Sequence, residues 1–189
     1  LWLYREVTLV GTPDFGIDGC PPGYYISPLV VRADDTRSTV DAFRNARFAY
    51  NQTHSQSGFA AAYNHLDRHG WWFNELLHTG QHLESARSVA EGRADIASLD
   101  AVSWRLMEAY ESFATELRVL EWTKPTPGLP LITAKGNDAD AIFAAVERAI
   151  LELTATDRAI LGLVGLVRIP AEDYLAIPNP PESAGSPAA

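Results

Sequence analysis

Between residues 47 and 100 the chain sets out one pattern twice and begins it a third time: a short apolar run, a polar loop with a glycine, and a stretch of helical spacing. Arg47-Phe48-Ala49-Tyr50 reads as a strand, residues 51–58 (NQTHSQSG) as its loop, and 59–68 as a helix with Gly70 near its end. Leu76-Leu77-His78 is the next strand, Thr79-Gly80-Gln81-His82 its loop, and 83–91 a helix that Gly92 closes. Residues 94–99 (ADIASL) form a third strand with Asp100 at its tip. Strands alternating with helices of this length imply an α/β fold with a parallel sheet and right-handed crossovers.

The flanks are less regular. Residues 7–11 and 24–32 (YYISPLVVR) read as strands, and Pro28 marks the second as an edge or a crossover. Residues 41–45 suggest a short helix, and 117–122 (LRVLEW) another strand. A Pro-rich connection, 123–130, leads to a strand at 131–134. Asn137 can cap a helix reaching about Thr154, with Ile142, Phe143, Val146, Ile150 and Leu153 along its apolar stripe. Two short helices follow, at 157–163 and, after Pro170, at 171–176. The Pro/Ser/Ala-rich tail, 178–189, is expected to be disordered.

Composition narrows the function. A net charge of −9 without a Lys/Arg cluster excludes a nucleic-acid wrapper, so an anion site must rely on local donors. Cys20 is the single cysteine, which rules out an internal disulfide and a cysteine-built zinc site. No apolar run approaches the roughly 20 residues of a membrane span, so insertion into a membrane is not expected. The opening residues 1–6 (LWLYRE) do not form a signal peptide and read like the middle of a protein.

In open parallel sheets, ligands bind beyond the carboxyl ends of the strands. One such end carries Ser55, Gln56, Ser57 and Gly58, where hydroxyls and helix-end amides suit an oxyanion. Ser57 is either a donor to that anion or only the helix cap. The next end offers Thr79, Gln81 and His82, and His82 is either a ligand contact or a solvated first-turn residue. Asp100 caps the following segment, or accepts a hydrogen bond from a protonated oxygen or ammonium on the ligand. Tyr24 and Tyr25 open the crossover strand, and alternation sends one inward and leaves the other free to cover a ligand. Trp71, Trp72 and Trp104 are packing residues, and His65 and His69 a surface pair near a helix end. The chain carries no GxSxG, phosphate-loop or HExxH motif.

The ordered set Tyr24-Tyr25, Val30 to Asp34, Ser55-Gln56-Ser57-Gly58, Thr79-Gly80-Gln81-His82, Gly92 to Ala97 with Asp100, and Pro127 to Ile132 resembles the phosphate/phosphite/phosphonate-binding proteins of ABC transporters. The likeness runs over roughly residues 7 to 165. It implies a two-lobed type II periplasmic-binding fold, mainly parallel sheets with crossover strands, and a small phosphorus oxyanion held between the lobes. It implies ABC-transporter membrane subunits as partners, a periplasmic or envelope setting, no cofactor and no catalysis. By the resemblance, Ser55, Gln56, Ser57 and His82 hold the oxyanion, Tyr24 or Tyr25 is the cleft aromatic, and Asp100 meets the rest of the ligand. Gln56 stands where many relatives have a small hydroxyl residue. The family's first two strand–helix units lack a counterpart before residue 7, so the first lobe (1–33 and 130–177) is expected to be incomplete and the second (34–129) complete. The competing readings are a phosphoester or phosphonate hydrolase, with Ser57 as nucleophile and His82 as base, and a ligand-sensing module.

Overall fold

The computed structural model describes residues 5–185; residues 1–4 and the end of the expected tail, 186–189, lie outside the described residues. In chain order the elements are β1 (Val7–Asp14), β2 (Tyr24–Tyr25), β3 (Pro28–Arg32), β4 (Arg47–Tyr50), α1 (Ala61–Asp67), β5 (Glu75–His78), α2 (His82–Ala90) and β6 (Ile96–Ser98). They continue with α3 (Ala101–Tyr110), β7 (Leu117–Trp122), β8 (Thr126–Pro127), β9 (Leu131–Ala134), α4 (Ala139–Glu152), α5 (Ala155–Leu161), β10 (Gly165–Val167) and α6 (Ala171–Leu175). The chain forms two compact units: Leu1–Tyr25 with Pro125–Ile177, and Ile26–Lys124 with Pro178–Ala189.

The second unit is built on a five-stranded sheet in the order β5-β4-β6-β3-β7. β4 pairs in parallel with β5 and β6, while β3 runs antiparallel to both of its neighbours, β6 and β7. Four strands therefore share one direction and the crossover strand opposes them. Pro28 is the first residue of β3, a place where its missing N–H is tolerated. Strand alternation splits the core into two layers. Leu29, Val31, Phe48, Tyr50 and Ile96 face Phe59 and Leu66 on the α1 side. Val30, Ala49, Ala97 and Leu99 face Ala86, Val89 and Trp104 on the α2/α3 side. Covering both faces explains why these strands are almost continuously apolar.

The boundaries differ from the expected 34–129. Residues 24–32 are not one strand: β2 pairs with β8 in the first unit, and β3 joins the sheet of the second. The chain therefore changes units at 25/26, at 124/125 and again at 177/178. The tail, expected to be disordered, is ordered through Gly185. Asn64 Nδ2 donates to the Pro178 carbonyl and Trp72 Nε1 to that of Ala184, each at 2.9 Å, and Ala184 is buried in the α1-side core. A small side chain and two satisfied carbonyls are enough to hold a segment too polar to build a core of its own.

The first unit has a three-stranded sheet, β10-β1-β9, in which both pairings are antiparallel, so the expected parallel character stops at the second unit. A Cβ on Gly11 of β1 would lie 2.8 Å from the Phe143 ring, so α4 packs directly on the strand. Asp138, not Asn137, caps α4: its carboxylate accepts from Ala141 N, while Asn137 donates to Thr133 Oγ1. Thr154 ends the expected long helix by capping α5. No helix among the described residues is long and apolar enough to cross a membrane.

Candidate functional site

The carboxyl ends of β4, β5 and β6 meet at one edge of the second unit. After Tyr50, the loop returns as a widened first turn over Gln56–Ala60 that runs into α1. Ser55 makes that return: its Oγ accepts from Gly58 N at 3.1 Å. The capping role considered for Ser57 thus falls to Ser55. Ser57 turns the other way, and its Oγ lies 3.0 Å from His82 Nε2.

His82 arrives from the next strand end. Thr79 N and Gly80 N donate to the carbonyls of Tyr50 and Asn51, which binds the second loop to the first. Gly80 makes the bend at φ 83, a left-handed conformation that glycine adopts without strain. The Thr79 hydroxyl is occupied within the loop, against the Tyr50 carbonyl at 3.0 Å and Ser85 Oγ at 2.7 Å. His82 then opens α2 with its ring over the first loop.

The third end closes the corner from below. Leu29 pairs with Ser98, so Ser98 shares the α1-side face, and its Oγ donates to the Ser57 carbonyl at 2.6 Å. Asp100 caps α3 by accepting from Ser103 N at 2.8 Å. Burial pushes the His82 pKa below its ordinary 6.5, while the Asp100 charge and a hydrogen bond with the Ser98 backbone pull the other way.

Among the described residues, three of the five buried side-chain polar atoms without a hydrogen-bond partner belong to this corner: Asn51 Oδ1, Gln56 Nε2 and His82 Nδ1. Such groups ordinarily cost about 1–3 kcal/mol each, so their concentration at one sheet edge marks a place built for something other than packing. A Cβ on Gly58 would stand 2.0 Å from Asn51 Oδ1 and 3.0 Å from His82 Cε1, so only glycine permits this approach. Asn51 and Ser98, which the sequence does not single out, also meet at this corner, each at the tip of a strand.

Tyr24 and Tyr25 belong to the first unit. The Tyr24 hydroxyl donates to Asp173 Oδ2 at 2.8 Å, which raises its pKa, and Tyr25 is buried. His65 and His69 do stand together, with ring centroids 6.0 Å apart, but His65 is nearly buried and lies 2.9 Å from Glu121 Oε2. The Ser57–His82 contact has the spacing of a nucleophile and its base, but a catalytic pair needs an acid hydrogen-bonded to the far ring nitrogen. His82 Nδ1 has no such partner, and Asp100 caps α3.

Residues 13–174 match the family of periplasmic substrate-binding proteins of phosphonate ABC transporters. The chain belongs to this family. Members bind solutes for transport and are not enzymes, which removes the hydrolase reading. Solved structures of similar fold include a phosphonate-transporter binding protein from Pseudomonas aeruginosa, with 18% identity, 91% of this chain and 60% of that one covered, and a TM-score of 0.68. PhnD1 from Prochlorococcus marinus, solved with methylphosphonate, shares 14% identity over 89% of this chain and 68% of its own, with a TM-score of 0.72. XAC2383 from Xanthomonas citri, solved with ATP, shares 16% over 92% and 69%, with a TM-score of 0.70. These likenesses show a type II periplasmic-binding fold, and this chain spans 60–69% of the length of those three. A search of curated protein sequences finds no match.

Proposed function

We propose that this solute-binding protein takes a small phosphorus oxyanion, a phosphonate, phosphite or phosphate, at the Ser57–His82 corner of its second unit. The observation that carries the reading is the 3.0 Å contact between Ser57 Oγ and His82 Nε2, polar groups from two successive strand ends at a spacing that suits one tetrahedral group. Ser55 uses only its lone pair in capping Gly58, so its hydroxyl hydrogen remains to donate. Gln56 Nε2 adds an unpartnered donor. An incoming anion favours the imidazolium, against the burial that keeps His82 neutral. Thr79 holds the loop rather than the ligand. Asp100 accepts from a protonated oxygen or an ammonium on the solute. Neither Tyr24 nor Tyr25 is needed for this contact.

Micromolar affinity requires about −8 kcal/mol, and hydrogen bonds to a charged group contribute roughly 1.5–3 kcal/mol each. Four such donors reach that range after desolvation and ordering are subtracted. The solute is delivered, on this reading, to the membrane subunits of an ABC importer from the periplasmic side. The test is calorimetric titration with methylphosphonate, phosphite and inorganic phosphate. Ser57→Ala is expected to weaken the preferred ligand by about 10- to 100-fold, the loss of one charge-assisted bond. An unchanged affinity would overturn the proposal.

A further inference from the structure

Asn51, like Ser57, carries a side chain of the first loop that reaches His82 of the second. It follows β4 directly, and its backbone carbonyl accepts from Gly80 N at 3.1 Å. Its amide stands close to Gly58, where any Cβ would collide with Oδ1 at 2.0 Å. On the other side, Nδ2 stands 3.5 Å from His82 Nε2, the same ring nitrogen that Ser57 meets. Its Oδ1 is buried without a partner.

We propose that Asn51 is a positioning residue of the binding corner, whose amide bridges Gly58 and His82 and sets which ring nitrogen carries the hydrogen. An amide suits this place because it offers a donor and an acceptor without charge. On this assignment the Asn51 amide and the Ser57 hydroxyl both donate toward Nε2, and the neutral ring carries its hydrogen on Nδ1. When an oxyanion draws a proton onto Nε2, the amide can turn its unpartnered Oδ1 toward the ring, so both states of His82 are accommodated. A carboxylate of the same shape would favour only the protonated ring. The other groups bearing on the imidazole are the Ser57 hydroxyl, the Ser98 backbone and the Asp100 carboxylate, and among the described residues Asp100 is the charged one.

The inference rests on the oxyanion reading for its purpose but is tested apart from it. In the full chain, the His82 ring is followed by NMR, assigned by its loss in His82→Gln. The ring nitrogen shifts of the neutral wild type are expected to show the hydrogen on Nδ1. Asn51→Asp is expected to raise the His82 midpoint by more than about one pH unit, the usual effect of a carboxylate in contact with a histidine. A neutral ring protonated on Nε2, or an unmoved midpoint in Asn51→Asp, would sink the inference. If Asn51→Asp does not fold, the wild-type tautomer alone decides. Methylphosphonate titration separates the two ideas. Absent binding with a raised midpoint removes the ligand and leaves Asn51 in its role; normal binding with an unmoved midpoint removes Asn51 alone.

Discussion

The two units of this protein solve the same problem differently. The second covers both faces of its sheet, and Phe43, Phe48, Phe59, Leu29, Leu66 and Ile96 are almost wholly out of water. In the first, the buried aliphatic and aromatic side chains among the described residues are Val10, Tyr25, Pro127, Ile150 and Leu166. Leu151, Ile160 and Val164 there remain 65%, 61% and 56% exposed. What the first unit lacks in packing it partly replaces with hydroxyl contacts, Thr12 with Tyr174 and Tyr24 with Asp173. The donor corner stands on the unit with the denser core. That is where a site with unpartnered polar atoms can be held in shape, because the cost of those atoms is offset by burial around them.

The sharpest way to break this contrast is to cut into each unit. Phe48→Ala is expected to cost about 3–5 kcal/mol, since its ring is fully buried against Phe73, Trp72 and Tyr50. Leu151→Ala in the first unit should stay within about 0.5 kcal/mol. Denaturant unfolding with hydrogen exchange as a local probe measures both, and similar losses would erase the distinction.

A finer comparison uses glycine. Gly58→Ala should cost about 1–3 kcal/mol and at least tenfold in ligand affinity, because the new methyl meets a buried amide held on both sides. Gly11→Ala meets the half-buried Phe143 ring, which can swing outward, so its cost in stability should be smaller and ligand affinity should not change. Thermal unfolding and calorimetry of the pair check the order.

The smallest expected effect is one of pH. Because the folded pKa of His82 lies below 6.5, the unfolded chain takes up the proton first as the solution is acidified. The stability that neutral His82 contributes is present above its unfolded value and is lost as pH falls through the folded one. Between about pH 7.5 and 5.5, Tm should fall further in the wild type than in His82→Gln, and bound oxyanion should narrow the gap. Equal falls would show that His82 is not buried as a neutral ring.

The second unit was largely legible in the sequence because its code is local. The runs at Arg47–Tyr50, Glu75–His78 and Ile96–Ser98 alternate with polar loops and helices at fixed spacing, and the three strand ends follow from that order. What could not be read depends on contacts distant in sequence. Nothing local tells that Ser55 rather than Ser57 caps the turn, since both precede the helix, or that Asn51 lies against a histidine 31 positions away. The break between β2 and β3 was hidden because both sides of Ser27-Pro28 are β-forming and the proline also fits a single crossover strand; the pairing partners divide it. The tail misled because its composition is that of a disordered segment, while a single alanine and two carbonyls decide its place.

Everything functional in this account turns on one corner of the second unit presenting two neighbouring donors to the same guest. A crystal structure with methylphosphonate bound tests this most directly. The account expects ligand oxygens about 2.7–3.2 Å from both Ser57 Oγ and His82 Nε2. A phosphonate bound with either atom out of reach, or bound elsewhere on the protein, would contradict it.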